Sequence, residues 1–133
     1  METMSSVLVV EDFAPFRAFV SGLLREELAF QVVSEASDGF EAVRRARELN
    51  PDLILLDIGL PGLNGIETAR RLREMAPRSR IVFLTLEGSA EVVEEALGTG
   101  ALGCVHKSRA RNDLVPAIAT VLDGKQFVSN ACC

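Results

Sequence analysis

Four apolar residues, Leu53 to Leu56, run unbroken into an acid, Asp57, and the chain then breaks into a stretch punctuated by Gly59, Pro61, Gly62, Asn64 and Gly65. A short apolar run bounded by turn residues suits a strand buried on both faces, the situation of a parallel sheet covered by helices on each side. A carboxylate at the carboxyl end of such a strand lies where open α/β sheets place their ligands. One terminal acid alone says little, because many strands end in Asp to start a turn; the other strand ends decide its meaning.

The rest of the chain repeats the same unit. Ser6 to Val10 is a β-rich apolar run stopped by Glu11-Asp12, and Pro15 suits the first turn of a helix whose apolar residues (Phe16, Phe19, Val20, Leu23, Leu24, Leu28) recur at helical spacing over Ala14 to Leu28. Phe30 to Ala36 reads as a second strand. Asp38 with Glu41 resembles a capping box, opening a helix with Phe40, Val43, Ala46 and Leu49 on one face before Asn50-Pro51. Beyond the central strand, Asn64 with Glu67 repeats the cap for a helix carrying Ile66, Ala69, Leu72 and Ala76, which Pro77 stops. Arg80 to Thr85 is a fourth strand. Ser89 caps a helix with Val92, Val93, Ala96 and Leu97, ended by Gly98 and Gly100. Leu102 to His106 is a fifth strand, followed by Lys107, and a last helix runs from about Asn112 to Gly124.

Five βα units imply an α/β domain with a parallel sheet, right-handed crossovers and helices on both faces. They fit a flavodoxin-like fold of strand order 2-1-3-4-5, an order taken from precedent among such sheets rather than from periodicity. At 133 residues, 48% hydrophobic and 25% charged, the chain is one globular domain.

The strand ends now form a set. Strand one ends in Glu11 and Asp12, strand three in Asp57, strand four in Thr85 and strand five in Lys107. In a parallel sheet these ends share one edge, and strands one and three flank the switch point, so their acids should converge. Close carboxylates repel by roughly 1–4 kcal/mol per pair at protein-surface dielectrics. Protons relieve this, or a hard divalent cation does; Mg²⁺ prefers oxygen ligands and keeps several waters, which suits two or three acids at an exposed edge. Acids, metal, hydroxyl and ammonium together meet the needs of phosphoryl transfer to a carboxylate, where positioning and electrostatics supply most of the catalysis.

Glu11-Asp12, Asp57 with the following Gly-Leu-Pro-Gly-Leu-Asn-Gly, Thr85 and Lys107 resemble, across essentially the whole chain, the response-regulator receiver domain of two-component signalling. The resemblance implies that Asp57 accepts a phosphoryl group from a sensor histidine kinase. It implies that Asp12, Asp57 and the carbonyl of Gly59 hold Mg²⁺, with Glu11 acting mainly through water. Thr85 would turn towards the phosphoryl oxygen and Lys107 would pair with it. The domain would be a phosphoacceptor switch with intrinsic autophosphorylation and autodephosphorylation chemistry, not a turnover enzyme. It would control an output through a homodimer, an output domain or a partner protein. Residues 1–133 form the receiver. Leu122 to Ser129 resembles the end of receivers joined to a LuxR-type helix-turn-helix domain, and residues 124–133 would be a C-terminal tail or the start of a linker, so the chain is either a piece of a longer transcription regulator or a stand-alone receiver.

Two positions depart from the family pattern. The residue after the switch hydroxyl is usually small, and here Leu86 is expected to restrict access to the phosphorylation pocket. The position three before the lysine is usually aromatic, and here it is Cys104, so inward rotation of a ring cannot couple to Thr85; a small buried thiol there packs. Glu87, two after Thr85, is placed to tune hydrolysis. These departures support the alternative of a pseudo-receiver, an interaction module that is not phosphorylated, whereas the intact acid set opposes it. An aspartyl-phosphate phosphatase would need a second acid two residues after the nucleophile, and that position is Gly59.

Several features read more plainly as structure. Gly98-x-Gly100-x-x-Gly103 matches a dinucleotide fingerprint in letters, but it follows a helix and opens a strand, the reverse of what nucleotide binding requires. The arginines at 44, 45, 47, 70, 71 and 73 read as solvated helix faces, and His106 has no companions at metal-ligand spacing. A net charge of −5 and the absence of Trp and Tyr argue against direct nucleic-acid binding or an anionic membrane surface. Three cysteines (Cys104, Cys132, Cys133) give no disulfide framework, and Val7 to Val10 is too short for a signal or a membrane span, so a cytoplasmic location is expected.

Overall fold

The computed structural model describes residues 4–129; Cys132 and Cys133 lie outside them. Strands β1 (Ser5–Val10), β2 (Phe30–Ala36), β3 (Leu53–Asp57), β4 (Arg80–Thr85) and β5 (Gly103–His106) alternate with helices α1 (Ala14–Arg25), α2 (Gly39–Leu49), α3 (Gly65–Met75), α4 (Ala90–Gly98) and α5 (Ala110–Leu122). All strands pair in parallel, and the sheet order is 2-1-3-4-5 with one short strand added at the edge. The expected α/β, flavodoxin-like architecture is therefore the observed one.

The unbroken apolar runs have the anticipated cause. Along β1 and β3, alternate residues enter opposite cores. Leu8, Val10, Ile54 and Leu56 join Phe83 and Cys104 beneath α2, α3 and α4. Val7, Val9, Leu53 and Leu55 join Val82, Leu84 and Val105 beneath α1 and α5. Every residue of β3 is buried, so Asp57 ends a rod with no freedom to shift. The three side-chain caps also form: Asp38, Asn64 and Ser89 accept from the backbone N–H groups of Glu41, Glu67 and Val92. Glu41 reaches back one residue beyond the cap, accepting from Ser37 N–H at 2.8 Å rather than from Asp38 N–H as a capping box would have it. That bond, ahead of the Arg45 guanidinium, holds its pKa below the usual value.

Four details differ from the periodicity. α1 stops at Arg25, three residues short of Leu28, because Glu27 N–H and Phe30 N–H turn back onto Leu24 and Glu27 and send the chain into β2; Leu28 is left 92% exposed. In α2 the residues facing the sheet are Ala42 and Ala46, while Phe40 is 59% exposed and lies against the Arg71 guanidinium. α5 begins at Ala110, before Asn112, after a 3-10 turn at Lys107–Arg109. Finally, Phe127–Val128 forms a sixth strand, β6, parallel to β5. Behind it the buried Ser129 donates its N–H to Cys104 O at 2.9 Å and its hydroxyl to Asp113 Oδ2 at 2.8 Å, and that hydroxyl accepts from His106 N–H at 3.3 Å.

Among the described residues no helix is long and apolar enough to cross a membrane.

Candidate functional site

The carboxyl ends of β1, β3, β4 and β5 open into one cavity of about 720 Å³. Glu11, Asp12, Asp57, Gly59, Thr85, Leu86, Glu87 and Lys107 all line it. Cys104 does not: it lies one turn of pleat below, buried in β5 against Phe83 of β4.

Two of the three carboxylates, those of Glu11 and Asp57, accept from backbone N–H groups. Glu11 continues β1, its N–H bonded to Ala36 O at 3.0 Å and its carbonyl accepting from Arg17 Nη1 at 2.8 Å. Its fully buried carboxylate accepts from Phe13 N–H at 3.0 Å and faces Lys107 Nζ at 2.7 Å. Asp12 is the exposed member. Asp57 Oδ1 accepts from Gly59 N–H at 3.0 Å and lies 3.3 Å from Lys107 Nζ. The loop behind Asp57 is closed by Gly65 N–H on Ile58 O at 2.9 Å. A Cβ on Gly65 would stand 2.2 Å from Asp57 O, so the start of α3 presses directly on the back of the acid. Glycine at 65 is therefore a site requirement as much as a turn residue.

The electrostatics follow from this packing. Burial pushes the Glu11 pKa above its ordinary value, and the Asp57 charge adds to the push, although the bonds from Lys107 and Phe13 N–H oppose it. Burial works against the Lys107 ammonium too, but the bond to Glu11 and the Asp57 charge outweigh it and leave its pKa raised. The ammonium thus bridges two of the three acids.

The donor set fits a hard divalent cation. Glu11, Asp12 and Asp57 bring one carboxylate oxygen each to within 4.8 Å of one another, with no soft ligand among them. A dication at that point would replace the ammonium as counter-charge and free Lys107 to face an incoming anion.

Thr85 is buried, and its hydroxyl is already engaged: it donates to Glu87 O at 2.8 Å and accepts from Glu87 N–H at 2.9 Å. Leu86 sits on the rim with its side chain 76% exposed, opposite Phe13 at 61%. Two residues that the sequence reading did not assign to the site belong here as well. Phe16 lines the cavity and carries the Lys107 ammonium 5.0 Å from its ring centroid. Arg17 braces the Glu11 carbonyl and pairs with Glu35 at 3.3 Å. The signal available beforehand was position: both lie within the first turn after the acidic pair.

Residues 7–119 match the family model described as the response regulator receiver domain. The chain is 36% identical over 127 residues to the nitrate/nitrite response regulator protein NarL of Escherichia coli K12, covering 96% of this chain and 59% of that protein. It is 38% identical over 121 residues to a putative transcriptional regulator of Pseudomonas aeruginosa, covering 91% and 58%. The chain therefore spans somewhat over half the length of these relatives. A solved LuxR-family two-component response regulator from Aurantimonas sp. SI85-9A1 superposes with a TM-score of 0.93 at 32% identity, covering 98% of this chain and 93% of that one.

Proposed function

The chain belongs to the response regulator receiver family, and from that premise we propose that Asp57 is its phosphoacceptor and Lys107, Thr85, Asp12 and Glu11 the machinery around it. The observation that carries the reading is the convergence of the Glu11, Asp12 and Asp57 carboxylates at one point, with the Lys107 ammonium bridging two of them.

Asp57 Oδ1 is tied to Gly59 N–H and faces Lys107, which leaves Oδ2 to attack the phosphorus of a phosphohistidine in a sensor kinase. A P–O bond forms as the P–N bond breaks, its electron pair departing with the ring nitrogen, and an acyl phosphate results. Asp12 and Asp57, with the Gly59 carbonyl, would hold Mg²⁺ directly and Glu11 mainly through water; the ion supplies charge neutralisation on the transferring oxygens. Lys107 shifts from the Asp57 carboxylate to a phosphoryl oxygen. Thr85 exchanges its bonds with Glu87 for one to another. Attack of water on phosphorus later returns the carboxylate and releases phosphate, and the exposed Glu87 beside the cavity is placed to tune that step. Leu86 narrows the approach from one side without roofing it.

The protein would act in the cytoplasm. There the phosphorylated receiver alters homodimerisation or the docking of an output domain, transcription regulation being the output favoured by the relatives. Residues 124–133 would lead into that domain.

Intact mass after incubation with Mg²⁺ and acetyl phosphate tests the assignment. One added phosphoryl group is expected in the wild type and none in Asp57→Asn. Labelling that persists in Asp57→Asn refutes it.

A further inference from the structure

Lys107 has three contacts in the cavity, and two of them are to groups that change partners in the reaction. Its ammonium lies 2.7 Å from Glu11 Oε1 and 3.3 Å from Asp57 Oδ1; the reading above gives the Asp57 carboxylate to a cation and to phosphorus, turns Glu11 towards a water of that cation, and sends the ammonium to a phosphoryl oxygen. The third contact, 5.0 Å to the centroid of the Phe16 ring, involves no oxygen and no exchangeable partner. A lysine stem has four flexible carbons, and an unanchored ammonium at the edge of an open cavity drifts into water.

We propose that Phe16 is a positioning residue for phosphoryl transfer: its ring face keeps the Lys107 ammonium over the cavity while the carboxylates change partners. The inference rests on Asp57 being the phosphoacceptor.

The ring is well fixed for this task. It sits in the first turn of α1, set by Pro15 and packed at 5.8 Å against Phe19. Phe19 in turn carries the Arg111 guanidinium 5.1 Å from its centroid. Lys107 opens the 3-10 turn and Arg111 lies four residues on, in the first turn of α5, while Phe16 and Phe19 stand three apart on α1, so two ring–cation contacts run side by side between the same two segments. Lys107 is therefore steered by a seam between α1 and α5 rather than by a lone contact. A ring gives a cation a weakly directional, non-exchangeable resting place, and a partly desolvated one is worth enough to govern which way a lysine points.

The test compares Phe16→Leu, which keeps apolar bulk and loses the ring face, with Phe16→Tyr, which keeps the ring. Phosphorylation rates are read by intact mass with acetyl phosphate at saturating Mg²⁺, in the Lys107 and Lys107→Ala backgrounds. Loss of a ring–cation contact predicts that Leu slows labelling roughly three- to tenfold and Tyr leaves it within about twofold. In the Lys107→Ala background Leu should have no further effect, as expected when one residue acts through the other. A second readout needs no chemistry. The chain has two lysines, Lys107 and Lys125. The Lys107 ε-methylene protons should show an upfield ring-current shift relative to Lys125 in the wild type and Phe16→Tyr, and lose it in Phe16→Leu. Wild-type rates in Phe16→Leu, equal slowing in both backgrounds, or an unshifted ε-methylene signal in the wild type each overturn the proposal. A wild type that takes up no phosphoryl group overturns the Asp57 reading itself, and this inference with it.

Discussion

Replacing Gly65 by alanine adds a single methyl group, and the structure places that methyl where it does the most harm. It would lie 2.2 Å from Asp57 O, 2.6 Å from Ile58 Cα and 2.9 Å from Asp57 C. Comfortable carbon contacts are about 3.5–4.0 Å, so a displacement of more than about 1 Å is required. All three atoms are backbone, and Asp57 belongs to a strand buried throughout its length, so no flexible side chain can absorb the shift. Overpacking costs typically about 1–3 kcal/mol, and a rigid backbone target puts this case at the upper end. Better helix propensity returns at most about 1 kcal/mol, and less at the first residue of a helix. A net loss of about 2 kcal/mol follows, which for a domain of this size lowers Tm by roughly 6–10 °C. Because the displaced atom is the carbonyl of the proposed phosphoacceptor, labelling should also slow, by up to about 100-fold if the carboxylate moves 1 Å. Gly98→Ala is the control. A Cβ there meets nothing within 4 Å, so that variant should gain about 0.4–1 kcal/mol and label normally. Urea unfolding followed by circular dichroism, with labelling in parallel, reads both. A Gly65→Ala protein within about 0.5 kcal/mol of the wild type and labelling at its rate would refute the steric argument, since ordinary surface changes fall in that range.

Two further outcomes are expected. Ser129→Ala removes the hydroxyl that joins His106 N–H to Asp113 behind β6; losing these part-buried bonds should cost about 1 kcal/mol and speed exchange of the His106 amide, and an unchanged urea midpoint and exchange rate would show that the bonds matter little. For Glu11, a pKa raised by burial means that the native state keeps a proton where the unfolded chain has lost it: the stability this contributes is complete below the ordinary value of 4.5 and is lost as pH rises through the raised one. Mg²⁺ needs the ionised form, so the Tm increase it produces in thermal melts should grow with pH about a midpoint above the ordinary carboxylate range, and an increase already complete within that range would contradict the burial argument.

Much of the fold could be read because burial on both faces leaves an imprint on composition. Leu53 to Leu56 had to be apolar at every position, and they are. The caps at Asp38, Asn64 and Ser89 were readable because one side-chain oxygen does the work within three residues. Where the reading fell short, the deciding contact was distant or the element was brief. Periodicity counts apolar letters and cannot see that the chain reverses after Leu24, so Leu28 was assigned to a face it does not reach. Two residues, Phe127 and Val128, carry no period at all, and β6 exists because backbone groups of β5 meet them. At the site, the strand-end acids were legible because topology alone collects them. The Phe16–Lys107 contact was not, because it joins the first turn of α1 to the end of β5, and nothing local to either residue announces the other.

The departures at Leu86 and Cys104 bear differently on function once placed. Leu86 was expected to restrict the pocket, yet it is largely solvent-exposed on a rim whose cavity stays open to Asp57. Cys104 lies within the core that Phe83 and Ala101 share, and its carbonyl is the one that Ser129 N–H holds. No ring is present at 104 to swing, so a movement of Thr85 must be felt elsewhere. The bonds at stake are those Thr85 makes now. If, as proposed, its hydroxyl turns to a phosphoryl oxygen, both backbone groups of Glu87 would lose their partner, and Glu87 lies two residues before the Ser89 cap of α4. Backbone groups at the mouth of a cavity re-pair at modest cost through water, so the loop can move without unfolding the helix it leads to. On the reading proposed for Thr85, the route from Asp57 to the α4 face would run through the 85–89 backbone, which does not require a ring at 104.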